Sequence, residues 1–158
     1  MAKLPYREGT LFAVPLRRGG YVIGLVARSA PRGRIILVYL FGPKRSEIPN
    51  LKDISTLQRK DAIRCLRVGD LGLINGDWRI IGELDAWRKE DWPMPRFVDK
   101  NDLSKKVFIS TYADSDPSEL ERHDPAPLDI VGLEPDGLHG YGAVELLMTK
   151  QLDGNNVL

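Results

Sequence analysis

Leu11-Phe12-Ala13-Val14-Pro15-Leu16, Arg17-Arg18-Gly19-Gly20 and Tyr21-Val22-Ile23-Gly24-Leu25-Val26 follow one another directly. Two runs rich in aromatic and β-branched residues about a glycine turn predict a β-hairpin. Pro15 has no N–H to give a ladder, so its strand is expected at an edge or with a bulge. Past the turn Pro31-Arg32-Gly33, the run Ile35 to Phe41 is apolar throughout and closed by Gly42-Pro43. It is too short for a helix and is expected to be the central strand. It is also the longest apolar run, and its seven residues fall far short of the roughly 20 that a membrane helix needs.

Outward from this β core the pattern changes twice. Residues 48–60 offer Asn50, Asp53 and Ser55 as caps but too little apolar periodicity to choose between helix and loop. Leu71-Gly72-Leu73-Ile74 and Trp78-Arg79-Ile80-Ile81 flank Asn75-Gly76-Asp77, which predicts a second hairpin, since Asn-Gly accepts the positive φ of a tight turn. The segment Trp87, Trp92, Pro93, Met94, Pro95, Phe97 should run extended, because each proline biases its predecessor away from helix. Val107 to Tyr112 reads as another strand. Val144, Leu147, Met148 and Leu152 recur at i, i+3, i+4 and i+8, the stripe of a helix from near Tyr141 to just before Asp153-Gly154. The expected fold class is therefore α+β. It is mostly antiparallel β, a strongly bent sheet or partly open barrel from Tyr6 to about Tyr112, with the C-terminal helix packed on it.

Composition agrees with a single domain over residues 1–158: 23 Lys+Arg, 22 Asp+Glu, 42% apolar and 28% charged exclude disorder and collagen. One cysteine, Cys65, can form no internal disulfide and no thiolate zinc site, which points to a reducing cytoplasm. Met1-Ala2-Lys3-Leu4-Pro5 reaches Arg7-Glu8 before any apolar segment, so no secretory leader is expected. The near-neutral total conceals an asymmetry. Residues 1–80 hold 15 basic and 6 acidic side chains, residues 81–158 hold 8 and 16. Between Thr111 and Asp136 the acids Asp114, Asp116, Glu119, Glu121, Asp124, Asp129, Glu134 and Asp136 are opposed by Arg122 alone. This stretch reads as an acidic loop.

Catalytic patterns are missing. His123 and His139 have no helix-spaced companion for zinc, and no Gly-x-Ser-x-Gly occurs. Gly137-Leu138-His139-Gly140-Tyr141-Gly142 precedes a helix, as phosphate loops do. It lacks both the dinucleotide glycine order and a following Gly-Lys-Ser/Thr. Glu83 with Asp85, or Asp114 with Asp116, would serve acid–base chemistry only if a cleft held them. The chain is accordingly read as a non-enzyme without metal or cofactor. Arg17, Arg18, Arg28, Arg32, Arg34, Lys44 and Arg45 around Tyr21, Tyr39 and Phe41 support an alternative, a nucleic-acid-binding β module using the basic half. Those aromatics, however, lie within apolar runs.

Five segments, taken together and in order, resemble the immunity protein 26 family: Tyr6 to Leu16, Gly20 to Gly24, Gly76-Asp77-Trp78-Arg79-Ile80-Ile81-Gly82, Trp92-Pro93-Met94-Pro95-Arg96-Phe97, and Asp136 to Glu145. The resemblance runs over roughly residues 5 to 152. It implies a cytoplasmic bacterial immunity protein of a polymorphic toxin system, one that binds and neutralises a cognate toxin domain. It carries over no catalytic residue and names no toxin. Most matched residues are expected to be scaffold: Gly76 in its turn, Trp78 in the core, Gly82 at a bend, Pro93 and Phe97 along an extended crossing. The expected partner-binding residues are those without a folding task, Asp114, Asp116, Glu119, Glu121 and Asp124, with Trp87 and Trp92 as aromatic anchors. A nuclease is the toxin such charge would suit, since it must itself attract a polyanion. Nucleic acid and membrane are not expected as partners.

Overall fold

A computed structural model describes residues 3–154. Met1 and Ala2, where the leader reading began, and residues 155–158 of the one-domain reading lie outside the described residues. Three strands come first, β1 (Thr10–Pro15), β2 (Tyr21–Ser29) and β3 (Ile35–Arg45). A short helix α1 (Leu51–Ile54) and a 3-10 turn (Arg59–Asp61) lead to β4 (Ala62–Gly69). Then come α2 (Leu71–Ile74), β5 (Arg79–Glu83), a 3-10 turn (Lys89–Asp91), β6 (Phe97–Asn101) and β7 (Lys106–Ala113). The chain closes with β8 (Asp116–Pro125), β9 (Glu134–Pro135), β10 (Leu138–His139) and α3 (Tyr141–Asp153).

The strands form two mixed sheets, one of order β10-β4-β3-β2-β1-β5 and one of order β8-β7-β6-β9. Neighbours pair antiparallel except β10 with β4 and β6 with β9, which are parallel. The fold is α+β, and no barrel closes among the described residues. The larger sheet explains why its first three strands read as nearly unbroken apolar runs. Alternate residues of a strand face opposite sides, and here both sides are buried. Phe12, Val14, Val22, Val26, Val38 and Leu40 join one cluster with Trp78, Val144 and Met148. Leu11, Ala13, Ile23, Leu25, Leu37 and Tyr39 join the other with Trp92, Phe97 and Tyr112. Helix α3 thus covers one face, through the fully buried Val144 and Met148 of the predicted stripe, and the smaller sheet covers the other.

Close packing dictates particular residues. A Cβ on Gly24 would lie 2.4 Å from the ring of Phe12, its partner across β1 and β2. Trp78 is fully buried, stacked on Phe12 at 5.3 Å, and its indole N–H donates to Glu145 of α3 at 3.0 Å. β1 is interior, between β2 and β5, yet β5 pairs only with Thr10 to Ala13. The missing N–H of Pro15 therefore interrupts no ladder on that side. The register shift opposite Leu11 and Phe12 sets a bulge beside Gly82, and a Cβ there would lie 2.6 Å from Leu51. Phe97 opens β6, 1% exposed, and the backbone carbonyl of Pro93 accepts the Tyr39 hydroxyl at 2.5 Å.

Two expectations need correction. Leu71–Ile74 is a turn of helix, so no hairpin surrounds Gly76. The Asp70 carbonyl accepts the N–H groups of Leu73 and Ile74, each at 3.0 Å, and a four-residue apolar run has too little periodicity to reveal this beforehand. Gly76 does adopt positive φ, +85°. Nor is the acidic stretch a loop. Asp116–Pro125 is β8, paired along β7 from Phe108 to Ala113.

Candidate functional site

β8 forms one edge of the smaller sheet, and its residues 118–123 are all exposed. Its register against β7 slips twice, skipping Glu121 between Arg122 and Leu120, and residues 117–119 between Leu120 and Asp116. Such bulges, with charge and Pro125, keep an edge from pairing with stray strands. Arg122 pairs with Asp124 at 2.9 Å. His123 Nε2 lies 2.8 Å from Asp99 and its ring stacks on Phe108 at 4.4 Å. Glu119 and Glu121 make no salt bridge or side-chain hydrogen bond among the described residues, and Leu120 between them is 48% exposed.

The acids at the two ends of the stretch have a different role. Arg28 of β2, 2% exposed, donates through Nε to the Asp114 backbone carbonyl at 3.0 Å and through Nη2 to its carboxylate at 2.8 Å. Its Nη1 donates to the Ala27 carbonyl at 2.7 Å. Desolvation works against the charged Asp114 carboxylate, but the hydrogen bond and charge of Arg28, joined by Lys89, outweigh it and hold the group below the usual carboxylate range. Arg67 of β4, 7% exposed, donates to the Pro117 carbonyl at 2.7 Å and to the Tyr112 hydroxyl at 2.9 Å, with its guanidinium 3.7 Å above a Tyr112 ring. That hydroxyl donates to Asp136 at 2.6 Å, and Ser110 donates to the same carboxylate at 2.7 Å. Burial, then the bond to Asp136, push the Tyr112 phenol up to about 12. Asp116 is occupied locally, accepting the N–H of Ser118 at 2.9 Å and its hydroxyl at 2.5 Å.

Asp114 therefore has a folding task, contrary to the expectation from charge alone. A buried guanidinium deprived of its partner is strongly destabilising. Arg28 likewise leaves the proposed basic face, because it lies inside. The charge asymmetry is partly internal: Arg7–Glu83, Arg17–Glu145, Arg28–Asp114, Lys44–Asp153, Arg64–Glu134 and Arg67–Asp136 each join the basic half to the acidic half. Of the three aromatics of the nucleic-acid alternative, Tyr39 and Phe41 are 5% and 2% exposed and offer bases no platform, and Tyr21 is half-buried.

The tryptophans lie at the other side of Asp114. Trp92 is 2% exposed, packed edge-on against Tyr39 at 5.1 Å and Phe41 at 5.8 Å, so its ring belongs to the core. Trp87 is half-buried and stacks on it at 6.4 Å. Lys89 joins this segment to Asp114, with Nζ 3.5 Å from the carboxylate. A cleft of about 560 Å³ opens between residues 56–60 and 84–92. Sequence reasoning overlooked this cleft, and it overlooked Leu128 and Val131, 70% and 86% exposed in the segment after β8. Apolar residues between Pro127 and Gly132 were the available signal. Among the described residues, no helix is long and apolar enough to cross a membrane, and no group of three or more His, Cys, Asp or Glu is placed to hold a metal ion.

A family model described as Immunity protein 26 matches residues 7–109, more than half of the chain. The matched stretch ends before β8 and before the Asp136 to Glu145 segment of the resemblance, and it contains the whole lining of the cleft. No curated protein and no solved structure matches the chain.

Proposed function

The chain belongs to the immunity protein 26 family, and from that premise we propose that it binds and neutralises a toxin domain of a bacterial polymorphic toxin system. It acts by protein–protein occlusion in the cytoplasm of the producing cell, with no catalytic step of its own. Its docking face includes the free part of β8. The observation that carries this choice is the pair Glu119 and Glu121, unpaired among the described residues and exposed on either side of Leu120. Their strand is rooted by Arg67 at Pro117. Fixed charge beside an exposed apolar side chain gives fast electrostatic capture followed by desolvated contact. A basic toxin surface, as a nuclease must possess, complements it.

The test uses the toxin domain encoded beside this gene, inactivated by substitution. In stopped-flow mixing, Glu119→Lys, Glu121→Lys and Asp124→Lys combined should slow association by about tenfold or more at low salt and flatten its salt dependence. An unchanged rate removes β8 from the interface. Absence of any complex with the unaltered protein removes the immunity mechanism itself.

A further inference from the structure

The cleft between residues 56–60 and 84–92 has an apolar floor of Leu57, Leu84 and Trp92 under a rim of exposed charges. Arg59 and Lys60 rise from one wall, Asp85 and Asp91 from the other. None of the four forms a salt bridge among the described residues, so two cations and two anions border one space without neutralising each other. The walls are held in place. Gln58 donates its N–H to the Asp61 carboxylate at 2.8 Å, Asp85 N–H donates to the Ser55 carbonyl at 3.0 Å, and Leu84 N–H to that of Gly9 at 2.9 Å. Behind the floor, Trp87 backs Trp92, and it lies so close to Gly9, itself at φ +96°, that a Cβ there would stand 3.0 Å from the indole.

We infer that this cleft receives a protruding loop of the toxin partner, an apolar side chain on the floor flanked in the loop by one acidic and one basic residue. The inference rests on the immunity reading above and adds a second contact to it. An isolated anion or cation would meet both signs and gain from only one. A peptide segment satisfies both walls while its apolar side chain displaces water from Leu57 and Leu84. A buried apolar centre inside a polar rim is the anatomy of a binding hot spot, and a rigid cleft loses little entropy on filling. The rim is continuous with the acidic root, since the Lys89 carbonyl accepts from Arg28 at 3.5 Å and its ammonium lies 3.5 Å from Asp114. One partner seated on the cleft would cover about 800 Å² of this protein, the usual extent.

The experiment measures affinity for the same inactivated toxin domain with three cleft variants at exposed positions. Thr56→Trp plugs the space, while Lys60→Glu and Asp91→Lys reverse one rim charge each. The plug should weaken binding about a hundredfold and each reversal about tenfold, mainly through faster dissociation, as for centrally placed contacts. Melting temperatures should not move. Hydrogen exchange should slow at residues 56–60 and 84–92 in the complex. Unchanged affinity in all three variants, with the unaltered protein binding normally, overturns the cleft and leaves the immunity function standing. Failure of the unaltered protein to bind overturns both. A dimer of this chain that Thr56→Trp dissolves, without effect on the toxin complex, also overturns the inference, because a second copy would then be the occupant.

Discussion

Asp114 and Glu119 stand five residues apart in one acidic stretch and have opposite physical situations. Asp114 answers a guanidinium that is 2% exposed, and Asp136, at the far end, answers one that is 7% exposed. Glu119 and Glu121 answer nothing within the described residues. The rooted acids are complementary to charges the fold has already buried, so removing one leaves an uncompensated cation in a poor solvent. The free acids are surrounded by water and contribute to long-range field. Charge density along a sequence therefore does not measure charge available to a partner.

The contrast is broken most directly at Asp136. Asp136→Ala leaves Arg67, Tyr112 and Ser110 without their shared acceptor and should lower stability by about 3 kcal/mol, read from the urea midpoint. A loss under 1 kcal/mol would mean that Arg67 is held by Pro117 and Tyr112 alone. Tyr112→Phe removes a single hydroxyl that both accepts from Arg67 and donates to Asp136, and about 1 kcal/mol is expected from the same measurement. Asp114 sharpens the contrast through pH. Its folded pKa lies below the ordinary value of about 3.9, so its stabilisation is complete above that value and disappears as pH falls through the lowered one. The difference in urea midpoint between the protein and Asp114→Asn should be constant from about pH 7 to pH 5 and close below about pH 4. Smallest of all, the Glu119, Glu121 and Asp124 triple reversal should shift stability by no more than about 0.5 kcal/mol while altering toxin capture. A larger shift would place those acids among the rooted ones.

A charged residue inside an apolar strand was the legible clue to the roots. Arg28 follows Leu25-Val26-Ala27, and Arg67 sits between Leu66 and Val68. A strand that buries both faces has no solvent side for either residue, so each had to find an acid. Which acid was not legible. Arg28 and Asp114 are 86 residues apart, Arg67 and Asp136 69, and no local pattern links such positions. The cleft is equally non-local, since its walls come from separate segments brought together on the second face of the large sheet.

Local periodicity alone settled the hairpin of β1 and β2, the central place of β3 and the bounds of α3, because alternation and the 3.6-residue stripe are properties of adjacent residues. The same local reading made a strand of Leu71–Ile74 and a loop of β8, where four apolar residues or a run of charges carry no period to read. Only tertiary structure decided that the larger sheet is covered on both faces, that six basic side chains of the first half pair with acids of the second, and which acids remain free among the described residues. Those outcomes depend on where distant segments meet, and burial, which turns a solvated charge into an obligatory ion pair, exists only after they have met.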